Sequence, residues 1–165
     1  MQKLETLAAD IAALLVDRGE TVAVVETTAG GLVSAALLAV AGASAYYRGG
    51  AVTYTGIARD VLLGIDLNEH PGVRSSSEPY ARLIATVIRE RLGATWGLGE
   101  TGAAGPTGNP YGDAAGHTCI AVAGPATHSE TLETGELDRR ANMSRFARRT
   151  LEVFAEVLRA APSLH

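Results

Sequence analysis

At 165 residues, with 47% apolar and 19% charged side chains, the chain has the makeup of one folded domain rather than a disordered tail. Its formal charge of −4 argues against a nucleic-acid coat, which needs clustered cations to meet phosphate. No apolar run reaches the ~20 residues that span a bilayer, and a lone cysteine, Cys119, excludes an internal disulfide and fits a reducing compartment. Met1-Gln2-Lys3-Leu4-Glu5 lacks the basic-then-apolar layout of a secretory leader, so a cytoplasmic location is expected.

In chain order, Leu4, Leu7, Ala8, Ile11, Leu14 and Leu15 recur at helical spacing, and Gly19 ends the run as a helix cap should. Thr21 to Glu26 is apolar and β-branched, as a buried strand would be. Thr27, Thr28, Gly30 and Gly31 then turn the chain into a helix reaching Val40. Such a strand-to-helix elbow offers hydroxyls and backbone N–H groups to an anion or a polarised carbonyl, unless the threonines only cap the helix. A second strand is expected at Ala51 to Tyr54, and a short helix at Ile57 to Leu63, closed by Gly64. Ser76-Ser77-Glu78-Pro79 announces a further helix, with a serine cap and proline in the first turn, that runs to Gly93. A strand near Thr95 to Thr101 precedes a Gly- and Pro-rich loop, 102–112. His117 to Ala123 and Thr131 to Glu133 read as a hairpin, and Arg139 to Ala160 as a long amphipathic helix. The expected architecture is a single α/β domain over 1–165, a three-layer α/β/α sandwich around a mixed, mostly parallel central sheet.

Gly97-Leu98-Gly99-Glu100-Thr101-Gly102 matches the dinucleotide pattern G-x-G-x-x-G but runs into a loop instead of opening a helix, so a Rossmann site is rejected. The four histidines are scattered without metal-ligand spacing, so no metal is expected. Arg139, Arg140, Arg145, Arg148 and Arg149 interleave with acids on the last helix and read as a solvated face. What remains is a loop-based crevice, with the elbow on one side and the Gly-rich loop on the other, provided both strand ends share one edge of the sheet.

Several segments together resemble one family. Glu26-Thr27-Thr28-Ala29-Gly30-Gly31 resembles the E-S-C-T-G-G signature of the CinA C-terminal-domain family, the nicotinamide mononucleotide deamidases. Residues 42–54 resemble its G-S-S-A-Y-F-x-G-G-V-V-x-Y block, and Val73 with Ser77-Glu78-Pro79 its V-S-E helix start. Thr101-Gly102-Ala103-Ala104-Gly105-Pro106-Thr107-Gly108 resembles T-G-I-A-G-P-x-G, the most distinctive of these motifs. The resemblance implies a three-layer fold and hydrolysis of nicotinamide mononucleotide to nicotinate mononucleotide and ammonia, with no metal and no cofactor.

Carried over residue by residue, it makes Thr27, Tyr54 and Arg59 the catalytic positions. It makes Glu26, Thr28, Gly30 and Gly31, then Thr101, Gly102, Gly105, Pro106 and Gly108, with Arg139, the substrate-binding ones. The nucleophilic serine of the family falls on Thr27, a later threonine on Ala29, and the base lysine on Arg59. A threonine keeps the hydroxyl but crowds it with a methyl. A guanidinium stays protonated and cannot accept the proton. A small nucleotide ligand with weak or lost turnover is therefore expected. The alternative is a ligand-free interaction module, for example a homo-oligomer, whose pocket is packed shut by its own side chains.

Overall fold

The computed structural model describes residues 3–164. Met1 and Gln2 of the leader reading, and His165 among the histidines, lie outside the described residues. Helix α1 (Leu4–Arg18) buries Leu7, Ala8, Ile11, Ala12 and Leu15, and ends where Gly19, at φ 65°, donates its amide back to Leu15 and Val16. Strand β1 (Val22–Glu26) is buried at every residue because helices cover both faces of the sheet, which is why its sequence does not alternate.

The sheet has the order β2-β1-β3-β4-β5, with β2 at Tyr47–Val52, β3 at Trp96–Ala103, β4 at His117–Ala123 and β5 at His128–Glu133. β1 pairs in parallel with β2 and β3, while β4 runs antiparallel to both β3 and β5. The sheet is therefore mixed, with β4 alone reversed, and the three-layer expectation holds. Helices α1, α2 (Leu32–Leu38) and α5 (Arg139–Ala160) cover one face through Val22, Val24, Trp96, Leu98, Ile120 and Val122. Helix α4 (Glu78–Leu92) covers the other through Ala23, Val25 and Cys119.

Strand β3 shows how the two faces differ. Trp96 and Leu98 point to the larger core, where the Trp96 ring meets Phe154 edge-on at 5.8 Å. Gly97 and Gly99 face α4, where an added Cβ would lie 2.1 Å from the Ala85 carbonyl and 2.3 Å from that of Ala81. Gly97 and Gly99, the first two glycines of the dinucleotide-like pattern, are thus contact points for a close helix.

Several boundaries differ from expectation. The second strand begins at Tyr47 and ends at Val52, because the edge position of β2 lets main-chain pairing with β1 carry Gly49 and Gly50 into the sheet. Tyr54 consequently lies beyond the strand. Strand β3 continues to Ala103, so Gly102 and Ala103 are paired to β4 rather than looped. The short helix α3 (Gly56–Ala58) passes into a π-helical turn over Arg59–Leu63 that Gly64 closes.

Candidate functional site

Because β1, β2 and β3 are parallel, the chain leaves all three at one edge of the sheet. Glu26 is level with Val52 on one side and Glu100 on the other. The elbow after β1, the segment from Thr53 after β2 and the Gly-rich loop after β3 therefore converge, which meets the condition for a strand-end crevice. The antiparallel β4 starts at the same edge, so His117 arrives opposite Ala103.

Two fully buried carboxylates form the floor. Glu26 accepts from the amides of Gly31 (3.0 Å), Val33 (3.0 Å) and Ser34 (2.8 Å). It is this carboxylate, and neither threonine hydroxyl, that caps α2. Gly30 and Gly31 make the reversal possible, with φ of 67° and 102° where a side chain would be strained. Glu100 accepts from the amides of Thr27 (3.1 Å) and Ala29 (2.9 Å) and from the hydroxyls of Thr28 and Thr118. Burial pushes its carboxyl above the usual range, against the pull of those donors.

Above this floor lies a chamber of about 80 Å³ lined by Thr27, Thr28, Thr53, Tyr54, Arg59 and Ser76, among others. Three of its groups lack a protein partner. The amides of Thr27 and Ala29 go to Glu100, those of Gly31, Val33 and Ser34 to Glu26, and those of Gly30 and Leu32 to backbone carbonyls. The amide of Thr28 alone, between 27 and 34, meets no acceptor among the described residues. The Thr27 hydroxyl also has none among them. Thr53 is 2% exposed and its Oγ1 has no hydrogen-bond partner among the described residues. Arg59 holds Asp60 through Nε at 2.8 Å, and its side chain is 15% exposed.

A second lobe of about 250 Å³ opens beside the first and shares Thr28, Tyr54 and Gly102 with it. Its wall is the Gly-rich loop, with Gly105, Gly108 and Arg139. Arg139, the first residue of α5, donates to the Gly105 carbonyl at 2.6 Å and to the Tyr54 hydroxyl at 2.9 Å. It thereby ties the loop to the segment after β2.

One wall is held by a conformation that the sequence does not announce. Ser76 has φ of 60°, the only such non-glycine among the described residues. Its amide donates to Thr101 Oγ1 (3.1 Å), its hydroxyl to the Gly102 carbonyl (3.2 Å), and its carbonyl accepts from His117 Nε2 (2.8 Å). Such strain persists where the surroundings over-determine it. His117 Nδ1 lies 2.5 Å from Glu133, so both ring nitrogens face acceptors. Burial alone would lower its pKa, but Glu133, the Ser76 carbonyl and Asp113 outweigh burial and raise it. Asp113 is held below the usual carboxylate range by Arg74, 2.8 Å away, despite partial burial.

Of the residues singled out from sequence, Thr27, Thr28, Tyr54, Arg59, Thr101 and Gly102 meet at the inner chamber, and Gly105, Gly108 and Arg139 at the outer lobe. Glu26, Gly30, Gly31 and Pro106 do not line either lobe; the first three build the elbow beneath. Sequence reasoning missed Thr53, Ser76 and Glu100. A glutamate inside an otherwise apolar strand was the one available signal, and it pointed to Glu100.

The model of the CinA C-terminal domain family matches residues 4–158. CinA-like proteins from Gloeobacter violaceus and Syntrophus aciditrophicus are 44% identical over 121 residues and 46% over 123. Those alignments cover 73% and 72% of this chain but 28% of each relative, so the chain spans under a third of their length. A competence damage-inducible protein A from Klebsiella pneumoniae superposes with a TM-score of 0.90 at 26% identity, covering 96% of this chain and 99% of that one. A competence/damage-inducible protein from Agrobacterium tumefaciens gives 0.87 at 26% identity, covering 95% and 96%. With the family model matching residues 4–158 and the solved CinA structures superposing over nearly the whole chain, this chain belongs to the CinA C-terminal domain family.

Proposed function

We propose that the two-lobed crevice binds a pyridine mononucleotide, nicotinamide mononucleotide or a close relative, in the cytoplasm, and that deamidation at Thr27 is weak or lost. The observation that carries this reading is the pair of contiguous cavities, one polar and small, one walled by a Gly-rich loop and an arginine. The outer lobe suits a phosphate, since glycine backbone approaches an anion closely and Arg139 supplies charge. The inner chamber holds room for a group of a few heavy atoms, given about 30 Å³ per water in the liquid. That is the size of the carboxamide. Nothing supports a packed-shut pocket, because Thr27, Tyr54 and Arg59 border open space.

The chemistry argues for a slow or silent site. Attack by Thr27 requires its proton to pass to a base, and the position that would receive it carries a guanidinium. Glu100 lies under the turn with both oxygens engaged by donors from Thr27, Thr28, Ala29 and Thr118. The Thr28 amide is available to an oxyanion, so that part of the machinery persists.

The test is an ammonia-release assay beside a calorimetric titration with nicotinamide mononucleotide. The wild type is expected to bind without measurable turnover. Thr27→Ser with Arg59→Lys, and that pair with Ala29→Thr, is expected to gain roughly 10²-fold or more, the usual worth of a positioned base. Robust wild-type turnover lost in Thr27→Ala overturns the silent-site reading; no heat with any pyridine nucleotide overturns the binding reading.

A second reading has one observation in its favour. Ile57 on α3 and Val61 on the π-helical turn that follows are 77% and 74% exposed. A homo-oligomer seated there would give a concentration-dependent mass in sedimentation, and Ile57→Lys with Val61→Lys would abolish it.

A further inference from the structure

Resting on the nucleotide-binding reading, we infer that the inner chamber selects a carboxylate over a carboxamide, so that this chain holds the acid form of the pyridine nucleotide in preference to the amide. A primary amide needs acceptors for two N–H bonds as well as donors for its oxygen, whereas a carboxylate needs donors only.

The backbone carbonyls nearest the chamber are engaged. The Glu26 carbonyl already takes the Thr53 amide at 3.0 Å. The Gly102 carbonyl takes the Ser76 hydroxyl, and the Ser76 carbonyl takes His117. The Thr101 carbonyl is 3.2 Å from the Thr118 hydroxyl. Both floor carboxylates are saturated from the elbow side. Tyr54, at the lip, accepts from Arg139.

Donors are in excess among the groups that remain, although the Thr27 and Thr53 hydroxyls can also accept. The Thr28 amide is unpaired. The Thr53 hydroxyl is buried without a partner, and the Thr27 hydroxyl is free to donate. Arg59 adds a donor-only guanidinium that holds Asp60 through Nε and also interacts with the Tyr80 hydroxyl, which leaves it further N–H groups to offer. That partner is more than half exposed, with 56% side-chain accessibility, so its charge is screened and leaves Arg59 a net cation at the wall. Arg59 reads the charge of the ligand, and Thr53 positions its planar end. Neither residue performs a bond-making step in this proposal.

Calorimetry with nicotinate mononucleotide and nicotinamide mononucleotide on the wild type decides the matter without any variant. A charge-assisted contact present for only one ligand is expected to favour the acid by roughly tenfold or more. Arg59→Gln is expected to bring the ratio close to one, and Thr53→Val to weaken both ligands while leaving the ratio. Equal affinities, or tighter binding of the amide, overturn this inference while leaving the nucleotide-binding reading intact. Binding of neither ligand overturns that reading and this inference with it.

Discussion

Beneath the Thr27–Ala29 turn, four donors converge on Glu100 and three amides on Glu26; in the chamber above, Thr53 Oγ1 and the Thr28 amide have no partner among the described residues. Both regions are buried and both are polar. A buried donor or acceptor left unpaired costs roughly 1–3 kcal/mol, so a protein that saturates its floor and leaves its wall open is paying for the wall in some other state. The floor makes the elbow rigid, and on the proposed reading the wall keeps partners free for a ligand. The first region would then belong to folding and the second to binding, although they share Thr28.

The largest effects are expected at the floor. Glu26→Ala strips the acceptor from three amides of the α2 first turn, and should lower unfolding free energy by roughly 3 kcal/mol or more. Glu100→Ala should cost somewhat less, since the Ala29 amide and the Thr28 hydroxyl lose their acceptor while the Thr27 amide keeps the Glu100 carbonyl and the Thr118 hydroxyl keeps the Thr101 carbonyl. Urea titrations measure both. A loss below about 1 kcal/mol for either would mean that the floor relaxes or hydrates freely, and the contrast with the wall would disappear.

Much of this arrangement is legible in the sequence. Gly19, Gly64 and Gly93 closed helices where expected, and Ser77 capped α4, accepting from the Tyr80 amide. These signals act within a turn, so a linear reading finds them. Glu100 and Thr28 are 72 residues apart, and only the parallel pairing of β1 with β3 brings them together. The same holds for Ser76, whose positive φ depends on contacts from Thr101, Gly102 and His117. Its neighbour Ser77 looks alike in sequence and does a different task. The orphan at Thr53 is less legible still, because it is defined by what its surroundings do not supply.

Smaller and pH-dependent effects are expected at the cluster behind Ser76. The folded pKa of His117 is raised above the unfolded value of about 6.5, so its stabilising share is complete below that pH and is lost as pH rises through the higher folded value. Asp113 works the other way: its lowered pKa contributes above about 3.8 and is lost as pH falls through the folded value. Glu133 is 57% exposed at its side chain, so solvent screens its part of the histidine contribution. The difference in stability between wild type and His117→Gln should therefore be on the order of 1 kcal/mol near pH 6 and shrink toward pH 9. Chemical denaturation across that range checks the sign. A gap that widens with pH would place a neutral imidazole in the native state.

The smallest change is expected at Thr53, and it is the sharpest test of the contrast because its sign is unusual. Valine matches threonine in shape and removes only the hydroxyl. At a paired site that exchange leaves a buried partner unsatisfied and destabilises. Here the hydroxyl is the unsatisfied group, 2% exposed with no partner, so its removal relieves a desolvation cost. The unliganded Thr53→Val protein should be as stable as wild type or more stable, by up to about 1 kcal/mol, while pyridine nucleotide binding weakens. Gain of stability with loss of binding is the pattern of a group retained for function. If Thr53→Val instead loses 1 kcal/mol or more in the free protein, the hydroxyl has a partner there, the wall is as saturated as the floor, and the argument for a ligand at that wall falls.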